Sequence, residues 1–248
     1  VRYLILSDIH ANWEALEAVL RHVRRKRYDR VLFLGDAVGY GASPNRVLTW
    51  LRELGPPAVA VRGNHDRVCA GLDSAEYFNR YAREASEWTH QQLEPRNLGF
   101  LQDVQLGPVE IDDQVLVCHG SSVDEDAYIF SAYDAKLAFD ASPHRIIFFG
   151  HTHVPSLFSF RSDESMEVRL LAGERTVIDL SGDARYLLNP GSVGQPRDRD
   201  PRAAYAIFDR ALMRVYQYRV AYPVGASRQR ILNAGLPAVL GDRLLYGA

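Results

Sequence analysis

Five short apolar runs in this chain each stop near a residue able to bind a cation, and this recurrence narrows the folds open to it. The runs are Tyr3-Leu4-Ile5-Leu6, Val31-Leu32-Phe33-Leu34, Ala58-Val59-Ala60-Val61, Val115-Leu116-Val117-Cys118 and Ile146-Ile147-Phe148-Phe149. Their length and their β-branched or aromatic content suit buried strands. Beyond them come, in order, Asp8 and His10, Asp36, Asn64, His119, then His151 and His153. Open α/β sheets carry their sites just past the carboxyl ends of strands, so these residues should converge on one rim.

With 248 residues the chain can bury a substantial core without staples. Its 29 basic and 31 acidic residues leave a net charge of −2, which gives no global case for nucleic acid or an anionic membrane. A charged substrate must therefore be met locally. Cys69 and Cys118 are the only cysteines and form no thiol metal pattern or disulfide framework. As buried small hydrophobes they suit a reducing compartment. No apolar stretch approaches the ~20 residues of a membrane span, and the first strand leaves no room for a signal peptide. A cytoplasmic location is expected, although a start at Val1 is compatible with removal of an upstream segment.

The first half alternates strand and helix. Trp13, Leu16, Val19, Leu20 and Val23 repeat at helical spacing and run into Arg24-Arg25-Lys26-Arg27, either a nucleic-acid patch or a solvated, dipole-compensating helix end. Ser43-Pro44 reads as an N-cap with Pro at the first helical position of a helix through Leu54, which Gly55-Pro56-Pro57 ends. A helical stretch over 74–93 carries Tyr77, Tyr81 and Trp88, which are expected to pack, as a cover over the site's edge. After His153 come short strands over 157–160, 167–171, 176–180, 185–188, 203–208 and 213–219, read as a second, mostly antiparallel sheet. The tail over 227–245 is helical, broken at Gly235-Leu236-Pro237.

The chemistry lies in the spacing. Asp8 and His10, two apart on a strand end, point the same way and can grip one cation. Asp36, preceded by Gly35, offers two oxygens with which to bridge a pair of metals ~3.5–4 Å apart. Asn64 supplies a neutral carbonyl oxygen while His65 stays free beside it as a proton carrier. His151 and His153 form another alternating pair, and His119 ends the strand before them. These motifs hold five of the eight histidines, which leaves His22, His90 and His144 as ordinary surface or helix residues. Taken singly, such an Asp or His is more often a turn former than a ligand. The ordered set, with similar intervals from Asp8 to Asp36 and from Asp36 to Asn64, is what points to a two-metal site for breaking phosphate esters.

Asp-X-His, Gly-Asp, Gly-Asn-His-Asp, His and Gly-His-X-His together resemble the signature of the calcineurin-like metallophosphoesterases, especially their small bacterial phosphodiesterase-like members. The stretches Gly35–Gly41 and Asn189–Arg197 and the region around Ala234–Pro237 extend the likeness along the chain. The resemblance implies one domain over 1–248, a four-layer αββα sandwich of two mixed β-sheets flanked by helices. It implies one metal held by Asp8, His10, Asp36 and His153 and another by Asp36, Asn64, His119 and His151. The two divalent ions, manganese, iron or zinc, would share a bridging hydroxide that attacks phosphorus in line. His65 is the candidate proton donor to the leaving oxygen, with Asp66 fixing its tautomer. Asn12 is either a phosphate contact or the cap of the helix starting at Trp13.

Phosphoprotein phosphatases of this superfamily carry an Arg shortly after Gly-Asp, and Ala37-Val38-Gly39-Tyr40-Gly41 has none. The loop Gly120–Asp126 is acidic where many small bacterial relatives have a Pro or Arg, and its simplest reading is a solvated loop. A small phosphodiester or nucleotide is the expected substrate, with dinucleoside polyphosphates and cyclic nucleotides as candidate classes and no membrane partner. A phosphomonoesterase or Ser/Thr phosphoprotein phosphatase on the same site is the alternative. A third reading is a non-catalytic scaffold like the phosphoesterase-like subunit of the retromer sorting complex, and the intact ligand set argues against it.

Overall fold

The computed structural model describes residues 1–56 and 58–248, so Pro57 of the expected Gly55-Pro56-Pro57 stop lies outside the described residues. β1 (Arg2–Leu6), β2 (Arg30–Phe33) and β3 (Val59–Ala60) pair in parallel. α1 (Trp13–Val23) and α2 (Pro44–Glu53) make the crossovers between them. After α3 (Asn64–Cys69), α4 (Arg80–Gln92) and α5 (Pro95–Asp103) come β4 (Val109–Glu110), β5 (Val115–Val117), α6 (Ala132–Asp140) and β6 (Ile146–Phe148). The chain continues through β7 (Ser156–Phe160), β8 (Met166–Leu170), β9 (Arg175–Asp179), β10 (Arg185–Asn189), β11 (Ala203–Asp209) and β12 (Arg214–Val220). α7 (Val224–Asn233), α8 (Ala238–Asp242) and a 3₁₀ turn over Arg243–Leu245 follow.

These strands form two mixed six-stranded sheets, ordered β3-β2-β1-β11-β12-β9 and β4-β5-β6-β10-β7-β8. The late strands therefore do not make a sheet of their own. β11, β12 and β9 extend the first sheet beyond β1, while β10, β7 and β8 extend the second beyond β6. Alternation along a strand fixes which side chains share a face but says nothing about which edge the strand joins.

The alternation builds the layers. Tyr3, Ile5, Leu32, Phe208 and Val215 of one sheet meet Val115, Val117, Ile146, Phe148 and Leu188 of the other in the central layer. On the opposite face Leu4, Leu6, Val31, Phe33 and Tyr205 pack beneath Leu16 and Val19 of α1 and Val47, Leu48 and Leu51 of α2. Leu116, Ile147, Phe149, Phe158 and Leu187 take Ala135, Ala138 and Phe139 of α6. Helices thus flank both outer faces, an αββα arrangement.

Several local expectations shift. Ser43 occupies the cap position of α2 without a side-chain cap bond, and Leu54 is the C-cap. α4 starts only at Arg80, because the Asn79 side chain accepts from the amides of Tyr81 and Ala82 and caps the helix there. Tyr77 and Tyr81 are exposed rather than packed, and Trp88 is the aromatic of the three that reaches a core, beside Ala82, Ala85 and Leu240. His144 is buried and bonded to the Ser142 hydroxyl, not a surface residue. His90 bonds the Cys69 carbonyl, and His22 bonds Tyr205.

Candidate metal centre

The carboxyl ends of β1, β2 and β3 in one sheet and of β5 and β6 in the other open onto a shared rim. Asp8 N donates to Gly35 O and His10 N to Asp36 O, which ties the first two strand ends together. Across the sheets, His151 N donates to Asp8 Oδ1 at 3.2 Å, and within the second sheet Gly150 N donates to His119 O. Asp8, His10, Asp36, His151 and His153 all adopt left-handed backbone, with φ between 48° and 64°. Such conformations cost about 1–3 kcal/mol each in a non-glycine residue and gather where a site overrides local preference. Close approach explains two glycines. A Cβ on Gly63 would lie 2.1 Å from Asp36 Oδ1, and one on Gly35, at φ +95°, 2.6 Å from His119 Nδ1.

The seven sequence-predicted residues converge into two adjoining pockets. One is formed by Asp8, His10, Asp36 and His153, and the other by Asp36, His119 and His151, with candidate ligand atoms in each within 4.8 Å of one another. Asn64 joins the second, its Oδ1 3.3 Å from His119 Nε2. Asp36 stands between them, with Oδ2 3.5 Å from His10 Nε2 and 3.4 Å from His119 Nε2. His153 Nε2 lies 3.4 Å from Asp8 Oδ1. The side chains of Asp8, His10, Asp36, His119 and His153 are almost wholly buried.

Protonation follows from the neighbours. His10, His119 and His153 place Nδ1 at 3.0, 2.7 and 2.6 Å from the carbonyl oxygens of Val38, Leu34 and Gln195. A carbonyl only accepts, so each Nδ1 carries the proton and each Nε2 faces the pockets. Burial, the largest influence, holds the pKa of His10 and His153 well below the ordinary imidazole value, so both are neutral at pH 7. Their Nε2 lone pairs then face each other at 3.1 Å. Two acceptors that close repel, and a cation between them turns the repulsion into ligation. Asp8 Oδ2 and Asp36 Oδ2 are likewise buried without a hydrogen-bond donor. Carbonyl-oriented imidazoles and unpartnered carboxylate oxygens are the donor set of a divalent-metal site.

Burial opposes ionisation of Asp36, but the neighbouring imidazoles, His119 foremost and then His65 and His10, outweigh it and hold the carboxyl well below its usual range. Burial also disfavours the His119 imidazolium. Asp36, and after it Asp8, more than compensate and raise it to about 10. Burial, helped by Asp36 and opposed by His119, raises Asp8 to about 7. Without a metal, one proton on His119 thus takes the place of positive charge. His151 is pushed down to about 3 by burial and the His119 charge, and its Nε2 is bound to the Asp126 carbonyl at 3.0 Å.

Asp66 takes up a position that sequence reasoning did not anticipate. Asp66 does not orient His65. Its Oδ2 accepts from the amides of Asp36 and Gly63 and its Oδ1 from that of Val38, so it braces the Asp36 loop. His65 has a partnerless buried Nδ1 and sits among the rings of Tyr40, Phe78 and His10, with burial lowering its pKa to about 4. Phe78 precedes α4, so the expected cover over the site comes from the turn before that helix. Asn12 caps α1 through Ala15 N and gives its amide to Gly194 O, which commits its side chain to the scaffold.

The acidic loop is not simply solvated. Glu125 is buried against Arg62 and Arg67, and Asp126 pairs with Arg67 at 2.6 Å. The loop so anchored offers the carbonyl that holds His151 and leads to Tyr128, whose ring stacks on His151 at 3.9 Å, and to Phe130, stacked on Tyr128 at 5.2 Å. Reasoning from sequence also missed Arg197, the end of the polar stretch Asn189–Arg197. There Asn189 Nδ2 holds Gly150 O and Ser192 Oγ holds Asp8 O, so the unusual density of Asn, Gly, Ser and Gln between two strands was the available signal.

The calcineurin-like phosphoesterase superfamily domain matches residues 1–211. An uncharacterized protein, MJ0912, of Methanocaldococcus jannaschii is 36% identical over 250 residues, which cover 98% of this chain and 97% of that protein. The crystal structure of a metallophosphoesterase from Sphaerobacter thermophilus is 40% identical, with a TM-score of 0.87 and 100% of both chains covered. The hypothetical protein PH1004 from Pyrococcus horikoshii OT3, 18% identical, shares the fold with a TM-score of 0.80 over 100% of this chain and 98% of its own. Two mixed sheets flanked by helices, with clustered Asp and His at a common rim, define a metallophosphoesterase. The chain belongs to the calcineurin-like phosphoesterase superfamily and is a phosphate-ester hydrolase.

Proposed function

We propose that the protein is a metal-dependent phosphodiesterase acting on a small diester or nucleotide. The observation that carries the metal reading is the pair of neutral Nε2 atoms facing each other at 3.1 Å beside the unpartnered Asp8 and Asp36 oxygens. Asp8, His10, Asp36 and His153 would hold one divalent cation, and Asp36, Asn64, His119 and His151 the other. Manganese, iron or zinc all suit oxygen and imidazole donors. When bound, such a pair lowers the pKa of water towards ~7, supplies hydroxide for in-line attack and neutralises phosphoryl oxygens.

The chain's own residues do the rest. His65 presents a free imidazole beside this centre and hands a proton to the leaving oxygen. Substrate anion beside it favours the imidazolium and offsets the burial that lowers its pKa. The Tyr128–Phe130 stack, exposed on its outer side and rising from His151, supports an aromatic leaving group such as a nucleoside. Residues 1–248 act as one domain, since α7 packs on α1 through Arg230 and Glu14. Two buried free thiols suit the cytoplasm, and among the described residues no helix is long and apolar enough to cross a membrane.

Turnover of bis-p-nitrophenyl phosphate and p-nitrophenyl phosphate with added manganese tests the reading. A preference for the diester is expected. A large preference for the monoester would replace this reading with a phosphomonoesterase, and no hydrolysis across a broad ester panel would favour a scaffold.

A further inference from the structure

Two arginines that this mechanism does not use meet at Tyr40. The Arg243 guanidinium carbon lies 4.3 Å from the centre of the Tyr40 ring, and that of Arg197 5.9 Å from it. On its other contacts the same ring is 4.3 Å from His65 and 4.7 Å from His10. Arg197 arrives from the opposite side of the centre, its backbone amide on the His153 carbonyl. The two cations are thus one aromatic ring beyond the residues that surround the reacting phosphoryl group.

Neither is ion-paired among the described residues. Arg197 Nη2 reaches the neutral Tyr40 Oη at 3.5 Å and Gln195 Oε1 at 3.4 Å, and its guanidinium also hydrogen-bonds the neutral Tyr128 side chain. Arg243 Nε and Nη2 are buried with no acceptor. Arg243 lies over the Tyr40 ring and hydrogen-bonds the Tyr40 side chain, which still leaves the Nε and Nη2 donors unmet. Buried donors left without acceptors are costly, and two like charges brought together without a counter-ion add to the cost. An oxyanion removes both penalties, because the planar fork of an arginine matches phosphate oxygens in pairs.

We propose that Arg197 and Arg243 form an anion subsite, separate from the metal pockets, that takes a second phosphoryl group of the substrate. The substrate class is then an ester carrying two linked phosphoryl groups, such as a nucleotide pyrophosphate ester. This deepens the phosphodiesterase reading and rests on it for the position of the scissile group.

Binding is measured first on metal-stripped protein, by calorimetric titration with inorganic pyrophosphate, so that the result does not depend on catalysis. Wild type should bind, and Arg243→Met and Arg197→Met should each weaken binding at least tenfold. Arg243→Lys, which keeps the charge and loses the fork, should fall between. Circular dichroism checks folding, and if one variant fails to fold the other decides the matter. Failure of wild type to bind, or equal binding by the variants, overturns the subsite. In the manganese-loaded enzyme, Arg243→Met should lower kcat/KM for a dinucleoside pyrophosphate at least tenfold more than for bis-p-nitrophenyl phosphate. Equal losses on the two substrates would also overturn it. A wild type that binds pyrophosphate but hydrolyses no ester would sink the phosphodiesterase reading and leave the anion site standing.

Discussion

Replacing Asp66 tests whether the Asp36 loop is braced from behind. The Asp66 carboxylate accepts from Asp36 N at 2.8 Å, Gly63 N at 3.1 Å and Val38 N at 3.1 Å, all in the buried interior. Asp66→Ala leaves three amides without an acceptor, each worth about 1–3 kcal/mol when buried and unsatisfied. Even the lower bound, about 3 kcal/mol, is a large part of a typical stability of about 5–15 kcal/mol. For a chain of this size each kcal/mol moves the Tm by about 2–4 °C, so a drop of at least ~6 °C is expected. Asp66→Asn can still accept from Asp36 N and Gly63 N if its amide group turns towards Val38 N. It should lose about one such bond and fall roughly a third as far. Because the loosened loop carries Asp36, the alanine variant should also retain less metal. The assay is differential scanning calorimetry with elemental analysis of the same samples. An alanine variant that melts within about 2 °C of wild type and keeps its full metal content would refute the reasoning.

Asp36→Asn removes a charged oxygen that faces both pockets and should abolish activity, and retention of even a tenth of wild-type turnover would contradict a shared ligand. His65→Ala should keep the metal content and slow turnover about 10²–10⁴-fold, the usual size of general acid catalysis; unchanged turnover would remove His65 from the mechanism. Metal binding should tighten as pH rises. Asp8, raised to about 7, and His119, raised to about 10, must both lose a proton to become ligands, so affinity climbs through pH 7 and continues upward. Calorimetry at pH 6.5 in buffers of different ionisation enthalpy should detect proton release, and identical heats would count against it. Phe130→Ala should raise KM for nucleoside or aryl diesters about 5- to 150-fold, as loss of one stacking contact of ~1–3 kcal/mol implies, while a dialkyl diester is unaffected. Equal effects on both would deny the ring a role in recognition.

What could be read from sequence alone was chemical identity in order. Asp8, His10, Asp36, Asn64, His119, His151 and His153 were all legible because each follows a short apolar strand, and strand ends in an α/β fold converge. The strands themselves were legible because an apolar run between turn residues has few other uses. Nothing in a strand's own pattern states its neighbour, and so β9, β11 and β12 could be placed in the first sheet only by packing. The same limit governed the site. Asp66 beside His65 in sequence suggested a partner for the imidazole, yet the tight turn at Gly63 aims its carboxylate at backbone amides. Asn12 became a cap, because α1 begins there and its free amides lie closest. Arg197 and Arg243 come from a loop and a final turn 46 residues apart in number, and no local pattern brings the two together. Ligand chemistry is a property of residue type and local spacing, which a sequence contains. Orientation, protonation and the meeting of two unpaired cations at one tyrosine depend on distances through space, which only the folded chain sets.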